Sequence, residues 1–244
     1  MKYLLSFIFI FTSFLYGGEA DDIIKAVEDN LRGDYMYAKM RMIVIGGRGE
    51  RTIEMESWSQ GDTKSFIKIL YPKKDRGITF LKLDTQMWQY IPKIERTIKI
   101  PPSMMLQSWM GSDFTNDDMV KESSMIKDYN ARVLAKTASR ATIELLPKPN
   151  AAVVWGKIIV DVDLLNKVPT KEIFYDDQMQ KVRIMTFSNI QRHGSHTLPM
   201  VMELKPLDAE KKKNSTKVVF EKVNYDTPID ASYFSKNALK RYSN

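Results

Sequence analysis

Few residues in the 244-residue chain have the type and spacing to do chemistry. Both histidines sit in His193-Gly194-Ser195-His196. Two imidazoles so spaced would supply half of a zinc site, but no third and fourth ligand stands nearby in sequence. Ser195 has no G-x-S-x-G elbow, and a histidine two or fewer residues away cannot easily reach back to its hydroxyl. The segment is expected to be an exposed turn around Gly194. Acidic pairs occur at Asp117-Asp118, Asp161/Asp163 and Asp176-Asp177. Successive strand residues point to opposite faces, so Asp176 and Asp177 are poorly placed to share a task. Asp161 and Asp163 share a face and are expected to mark a strand end in water. There is no cysteine, hence no disulfide, no thiol nucleophile and no cysteine for lipid attachment. No glycine-rich phosphate cradle or dinucleotide fingerprint appears. The expectation is a non-enzyme with no catalytic residue, no metal site and no cofactor.

Methionine is what the chain carries in excess, 15 residues including the initiator. The thioether side chain is unbranched and polarisable, and is over-used at surfaces that accept varied apolar ligands. It is equally an ordinary filler of irregular core. Met104, Met105, Met110, Met119 and Met125 cluster between Ser103 and Met125, together with Trp109 and Phe114. That clustering favours a ligand-facing lid.

The elements that must position these residues follow from periodicity. Lys2, the apolar run Leu4 to Phe14, and the small residues Gly17, Gly18 and Ala20 before Asp21-Asp22 form the pattern of a secretory signal peptide. Cleavage is expected after Ala20, with Gly17 and Gly18 as rival positions, leaving residues 21–244 as one domain. The run is shorter than the ~20 residues of a spanning helix, which disfavours an uncleaved anchor. Ile23, Ile24, Val27 and Leu31 have helical spacing up to Gly33. The period then changes to two: Ala38, Met40, Met42 and Val44 alternate with Lys39 and Arg41, Gly46-Gly47-Arg48-Gly49 turns the chain, and Ile53 and Met55 alternate with Glu54 and Glu56 in return. Short strands follow at 66–71, 78–83, 87–91 and 94–100. After the Pro101-Pro102 break and the helix-like or irregular 103–125 segment, strands resume at 131–135, 141–146, 153–162, 171–175, 182–187, 199–204 and 218–225. Neighbours joined by tight turns run antiparallel, and no βαβ alternation occurs. The fold class is mainly β: a single strongly curved antiparallel sheet, a half-open barrel, with a helical lid over an apolar cavity. So many curved strands cannot fill their concave side with their own side chains.

A net charge of +7 on an exported protein points to anionic headgroups or an acidic partner surface, and not to nucleic acid. Lys211-Lys212-Lys213 is expected to be a solvated loop.

Two stretches, Met87-Trp88-Gln89-Tyr90-Ile91-Pro92 and Met110-Gly111-Ser112-Asp113-Phe114-Thr115, together with Arg96 and Asp118, carry a family resemblance. The chain resembles the outer-membrane lipoprotein-sorting proteins, the group around the periplasmic lipoprotein carriers of the Lol system. The similarity extends through Arg76-Gly77-Ile78, Lys171 to Tyr175, Leu198-Pro199 and Asp230 to Phe234. It departs at Asn116, where an aromatic is common, and at Met119, where leucine is. The resemblance implies a curved sheet closed by helices, a hydrophobic cavity and no enzymatic activity. Its implied partners are lipoprotein acyl chains or free lipid, an inner-membrane exporter or release complex, and an outer-membrane acceptor.

The candidate ligand-binding residues are Met40, Met42, Trp88, Tyr90, Met104, Met105, Trp109, Met110 and Phe114. Trp88 and Tyr90 share one strand face and must act together, in core or in cavity. Ser112 and Asp113 either cap a helix from Thr115 onward, with Asp117 and Asp118 in its first turn, or touch ligand. Three functions stand: a periplasmic carrier for lipoproteins or lipids, an acyl-sensing or accessory module of a lipid exporter or envelope complex, and a hydrolase. The missing catalytic apparatus argues against the last.

Overall fold

A computed structural model describes residues 18–243 except 48, 122–124, 152 and 212. The apolar run Leu4 to Phe14 lies outside the described residues. Gly18, Glu19 and Ala20 form the first turn of a helix, α1 (Gly18–Arg32), in which Ala20, Ile24 and Val27 are buried. The helix therefore begins earlier than the apolar spacing from Ile23 suggests.

Among the described residues thirteen strands follow: β1 (Tyr35–Gly46), β2 (Gly49–Gln60), β3 (Lys64–Tyr71), β4 (Thr79–Leu83), β5 (Gln86–Ile91), β6 (Arg96–Lys99), β7 (Tyr129–Lys136), β8 (Arg140–Pro147), β9 (Lys157–Asp163), β10 (Val168–Tyr175), β11 (Lys181–His193), β12 (His196–Pro206) and β13 (Ser215–Tyr225). They form one antiparallel sheet in the order β6-β5-β4-β3-β2-β1-β13-β12-β11-β10-β9-β8-β7. The sheet is curved and unclosed, a half-open barrel. Its seam is β1 against β13, where Met40 lies opposite Phe220 and Met42 opposite Val218. The N-terminal meander and the C-terminal meander meet there, so neither half closes a core alone. Beyond β6 the chain makes 3-10 turns and two short helices, α2 (Asn116–Lys121) and α3 (Met125–Asp128), before entering β7. A last helix, α4 (Lys236–Arg241), ends the chain.

Strand alternation sends one set of side chains to the concave face and the other outward. On β2, Ile53 and Met55 point inward and Trp58 outward; on β3, Ile67 and Ile69 point inward and Phe66 outward. The concave set joins α1 and the lid in the main core. The outward set of β3–β5, namely Phe66, Leu81, Trp88 and Tyr90, packs under Ala238 and Leu239 of α4. Tyr233 completes this second core, stacking on Trp58 at 4.7 Å and on Tyr242 at 4.3 Å. Gly77, at φ +84°, permits the close approach of the C-terminus. A Cβ there would stand 2.5 Å from the Ser243 carbonyl oxygen, and the Ser243 hydroxyl donates to the Gly77 carbonyl at 2.7 Å.

The expected strand at 153–162 begins only at Lys157. Residues ahead of it are held outside the ladder: a Cβ on Gly156 would stand 2.3 Å from the Asp176 carbonyl oxygen, and Trp155 packs edge-on against Phe174 at 5.4 Å.

Candidate functional site

The concave face is incompletely filled. Between α1, the sheet and the lid remains a hollow of about 310 Å³, within the range of roughly 300–1,000 Å³ typical of sites for small organic ligands. Met40, Met42, Val218 and Phe220 from the β1–β13 seam, with Met202 of β12 and Phe187 of β11, form its floor. Ile24, Val27 and Leu31 of α1 cover it, because their three- and four-residue spacing puts them on one helical face.

The C-terminal end of α1 is clamped to the sheet. The Asn30 amide donates to the carbonyls of Thr197 (2.7 Å) and Lys167 (2.9 Å), and its oxygen accepts from the Thr197 N–H at 2.9 Å. The Tyr225 hydroxyl donates to the Leu31 carbonyl at 2.8 Å. His196 stacks on Tyr225 at 4.3 Å, with Nδ1 2.8 Å from the Asn30 carbonyl oxygen and Nε2 2.9 Å from the Asp226 carboxylate. This corrects the expectation of a single exposed turn. Gly194 and Ser195 are exposed in the β11–β12 hairpin, but His196 belongs to the helix clamp.

The lid is bolted down by polar contacts. Thr115 and Asp118 cap α2 reciprocally: the Asp118 N–H donates to the Thr115 hydroxyl at 3.1 Å, and the Thr115 N–H donates to the Asp118 carboxylate at 2.7 Å. Ser112 and Asp113 therefore are not the helix cap. The Ser112 hydroxyl donates to the Trp109 carbonyl at 2.7 Å, closing the turn, and the Asp113 carboxylate accepts from the Thr216 hydroxyl at 2.7 Å, tying that turn to β13. Asp118 also takes a two-pronged ion pair from Arg183 of β11, at 2.7 and 2.6 Å, with both side chains under 10% exposed. The Arg183 guanidinium lies 4.1 Å from the Trp155 ring and 4.2 Å from the Phe174 ring. These contacts seat Trp109, 2% exposed, against Phe80 with ring centroids 5.2 Å apart.

Of the candidate residues, Met40, Met42, Trp109 and Phe114 line the hollow, and so do Met119 and Met125. Met104, Met105 and Met110 pack against the main core without lining it. The Met110 carbonyl instead accepts from Arg51 of β2. Trp88 and Tyr90 are placed on the other face of the sheet, in the second core under α4. They do act together, but not at the hollow. The wall residues Phe187, Met202 and Phe220 carry no chemical label, and only the antiparallel register identifies them.

One rim of the hollow is polar. Glu28 lies 3.5 Å from Arg32 and accepts the Ile126 N–H at 3.3 Å; burial pushes its carboxyl above the usual carboxylate range. Asp62, in the β2–β3 turn, is bonded by Lys127, which holds its carboxyl below that range. Asp161 and Asp163 lie away from the hollow, on the face of β9 opposite Val160: Asp161 bonds Thr142 at 2.8 Å and Lys171 at 2.9 Å, and Asp163 closes the following turn onto Asn166. Among the described residues no group of three or more His, Asp or Glu side chains is arranged to hold a metal ion. No helix among them is long and apolar enough to cross a membrane.

The architecture is thus that of a half-barrel enclosing a largely apolar hollow. A family model with the description "-like: Uncharacterized protein" matches residues 61–241, and the chain belongs to that family. Solved structures share the fold. A DUF1329 family protein from Desulfovibrio piger superposes with a TM-score of 0.83 at 17% identity, covering 90% of this chain and 97% of its own. A putative outer membrane lipoprotein-sorting protein domain from Vibrio parahaemolyticus gives 0.80 at 21% identity, covering 91% and 99%. A LolA superfamily protein from Nitrosomonas europaea gives 0.73 at 17%, covering 90% and 98%. The structural neighbours are therefore lipoprotein-sorting and LolA-superfamily proteins, as the sequence motifs lead one to expect. No curated protein matches the chain.

Proposed function

We propose that the protein is a non-catalytic periplasmic carrier that takes a lipid, or the acyl chains of a lipoprotein, into the hollow beneath α1 and moves it towards the outer membrane. The observation that carries this reading is the continuous apolar floor at the β1–β13 seam, left uncovered by the sheet's own side chains. Burial of an acyl chain there is favourable by ~0.8 kcal/mol per methylene, and the methionines among its walls adapt to chains of different shape. The fold of the lipoprotein-sorting neighbours and the signal-peptide pattern of residues 1–20 support the same reading. Loading and unloading would then fall to an inner-membrane exporter or release complex and an outer-membrane acceptor.

Displacement of a fluorescent fatty acid tests the proposal. The wild-type protein should bind the probe, and Phe187→Glu or Met202→Lys should abolish binding. Both residues are only partly buried, so the substitutions leave folding nearly intact, while a charge facing an acyl chain costs several kcal/mol. Unchanged binding by both variants with native stability would place the ligand elsewhere.

A further inference from the structure

Two strands end the sheet, β6 on one side and β7 on the other, and their edges are dressed differently. The cations of β7 are engaged within the protein, Arg132 with Glu144 at 2.6 Å and Lys136 with Glu19. All four residues of β6 are exposed, and among the described residues neither Arg96 nor Lys99 is in an ion pair. Lys99 stands over the Trp88 ring at 5.8 Å. The backbone of β6 is open too. The Ile100 N–H donates to the Met87 carbonyl at 2.9 Å, and antiparallel bonding pairs recur at every second residue. Ile98 and Arg96 therefore bond β5, while Thr97 and Lys99 turn their N–H and C=O groups outward.

The charge around this edge comes from separate parts of the chain. Lys93 stands in the β5–β6 turn, and Lys73, Lys74 and Arg76 stand in the β3–β4 turn, all exposed. A Cβ on Gly77 would lie 3.5 Å from Pro92 Cγ, so the two turns abut. Within them only Asp75 and Glu95 carry opposite charge. Lys236 of α4 adds a further ammonium group on the convex side, 4.8 Å from the Trp88 ring. Ile94 and Ile98, 54% and 38% exposed, set apolar surface among these cations. A lysine on an edge strand serves by itself to discourage indiscriminate pairing. That accounts for Lys99, but not for three cations two strands further in, nor for the contrast with the neutralised edge at β7.

We infer that β6 accepts an acidic, extended segment of a partner protein as an added strand, with main-chain bonds to Thr97 and Lys99 supplying affinity and the surrounding cations the choice of partner. Alternation sends Arg96 and Ile98 to one face and Thr97 and Lys99 to the other. A segment matching β6 in antiparallel register therefore reads acidic, apolar, β-branched, acidic. A bilayer surface matches the charge but not the row of outward backbone groups. Gly61 and Asp62, at the hollow, lie at the other end of β3 from the β3–β4 turn, ~23 Å along the strand, so a segment bound at β6 leaves that end uncovered. The inference is independent of what the hollow holds.

The test uses a fluorescein-labelled peptide carrying two copies of Glu-Val-Thr-Glu, and a control in which lysine replaces glutamate. Anisotropy measures their binding to the wild type, to Thr97→Pro and to Arg96→Glu/Lys99→Glu, with thermal melts of each. Thr97→Pro removes an outward N–H and no bond to β5, and proline is tolerated on an edge strand. The wild type should bind the acidic peptide at least about tenfold more tightly than the control, less so as salt rises, with slowed amide exchange at Thr97 and Lys99. Both variants should lose that binding while melting like the wild type. Binding that survives Thr97→Pro, or that leaves exchange at Thr97 and Lys99 of the wild type unchanged, would mean a charged contact without strand addition and overturns the inference. Equal affinity for the two peptides, or none for either, overturns it as well. Binding to phosphatidylglycerol vesicles in place of the peptide, lost in Arg96→Glu/Lys99→Glu, would make this edge a membrane site and also overturn it.

Discussion

Replacing Asp118 by Asn should unseat the lid at a cost of about 3–5 kcal/mol, the range for removing one partner of a buried ion pair. The magnitude follows from the site. Two charge-assisted bonds of 2.7 and 2.6 Å join Asp118 to Arg183, and neither side chain exceeds 10% exposure, so solvent can neither screen the pair nor replace the lost partner. Asparagine keeps the shape, but leaves the guanidinium between Trp155 and Phe174 with its Nε already lacking an acceptor among the described residues. For a domain of this length each 1 kcal/mol shifts the melting temperature by roughly 2–4 °C, so a fall of about 6–20 °C is expected. Arg183→Met should cost at least as much, because it leaves the buried Asp118 carboxylate without its cation in a small pocket that Asp117 and Glu172 also line. The double variant Asp118→Leu/Arg183→Met should recover part of the loss, since it removes both members of this ion pair together. Urea unfolding followed by tryptophan fluorescence measures all four proteins. A loss below about 1 kcal/mol for Asp118→Asn would put the pair in the class of screened surface bridges and refute the claim that it anchors the lid.

Trp88→Ala should lower stability by about 3–5 kcal/mol and leave acyl affinity of the remaining folded protein unchanged, because its ring lies under α4; parallel loss of affinity on a calorimeter would place Trp88 at the ligand after all. Ser195→Ala should be silent in a thermal melt, whereas His196→Ala should cost about 1–2 kcal/mol through loss of the Asn30 and Asp226 contacts. The stability of the wild type relative to Glu28→Gln should fall as pH rises from its usual value of 4.5 upward. The folded carboxyl binds its proton more tightly than the unfolded one, so between the two pKa values the native state holds the extra proton and loses stability with rising pH. Denaturation at a series of pH values reads this directly, and a gap that grows with pH would contradict it.

Much of the fold is legible in the sequence because period-two alternation is a direct signature of strands with one buried face. Alternation at Ala38–Met42 and Ile53–Met55 flanks a glycine turn, and Tyr35–Gly46 and Gly49–Gln60 pair residue for residue from Tyr35–Gln60 to Gly46–Gly49. Legibility fails where both faces are buried. In β3–β5 the runs Phe66-Ile67, Phe80-Leu81 and Met87-Trp88 give one residue to each core, and nothing local says which faces the hollow. Trp88 and Tyr90 are misassigned to the cavity for that reason; their true partners, Ala238 and Leu239, lie some 150 residues away. The methionine cluster leads to a segment that borders the hollow, but composition does not separate Met119 and Met125, which line it, from Met104, Met105 and Met110, which do not.

The central claim, that the hollow is a lipid site, is tested most directly by native mass spectrometry of the protein purified from its own cells. The account predicts mass adducts that fragment to acyl-bearing lipid, and their loss in Phe187→Glu. Adduct-free protein from wild-type cells, or adducts equally abundant in that variant, would contradict it.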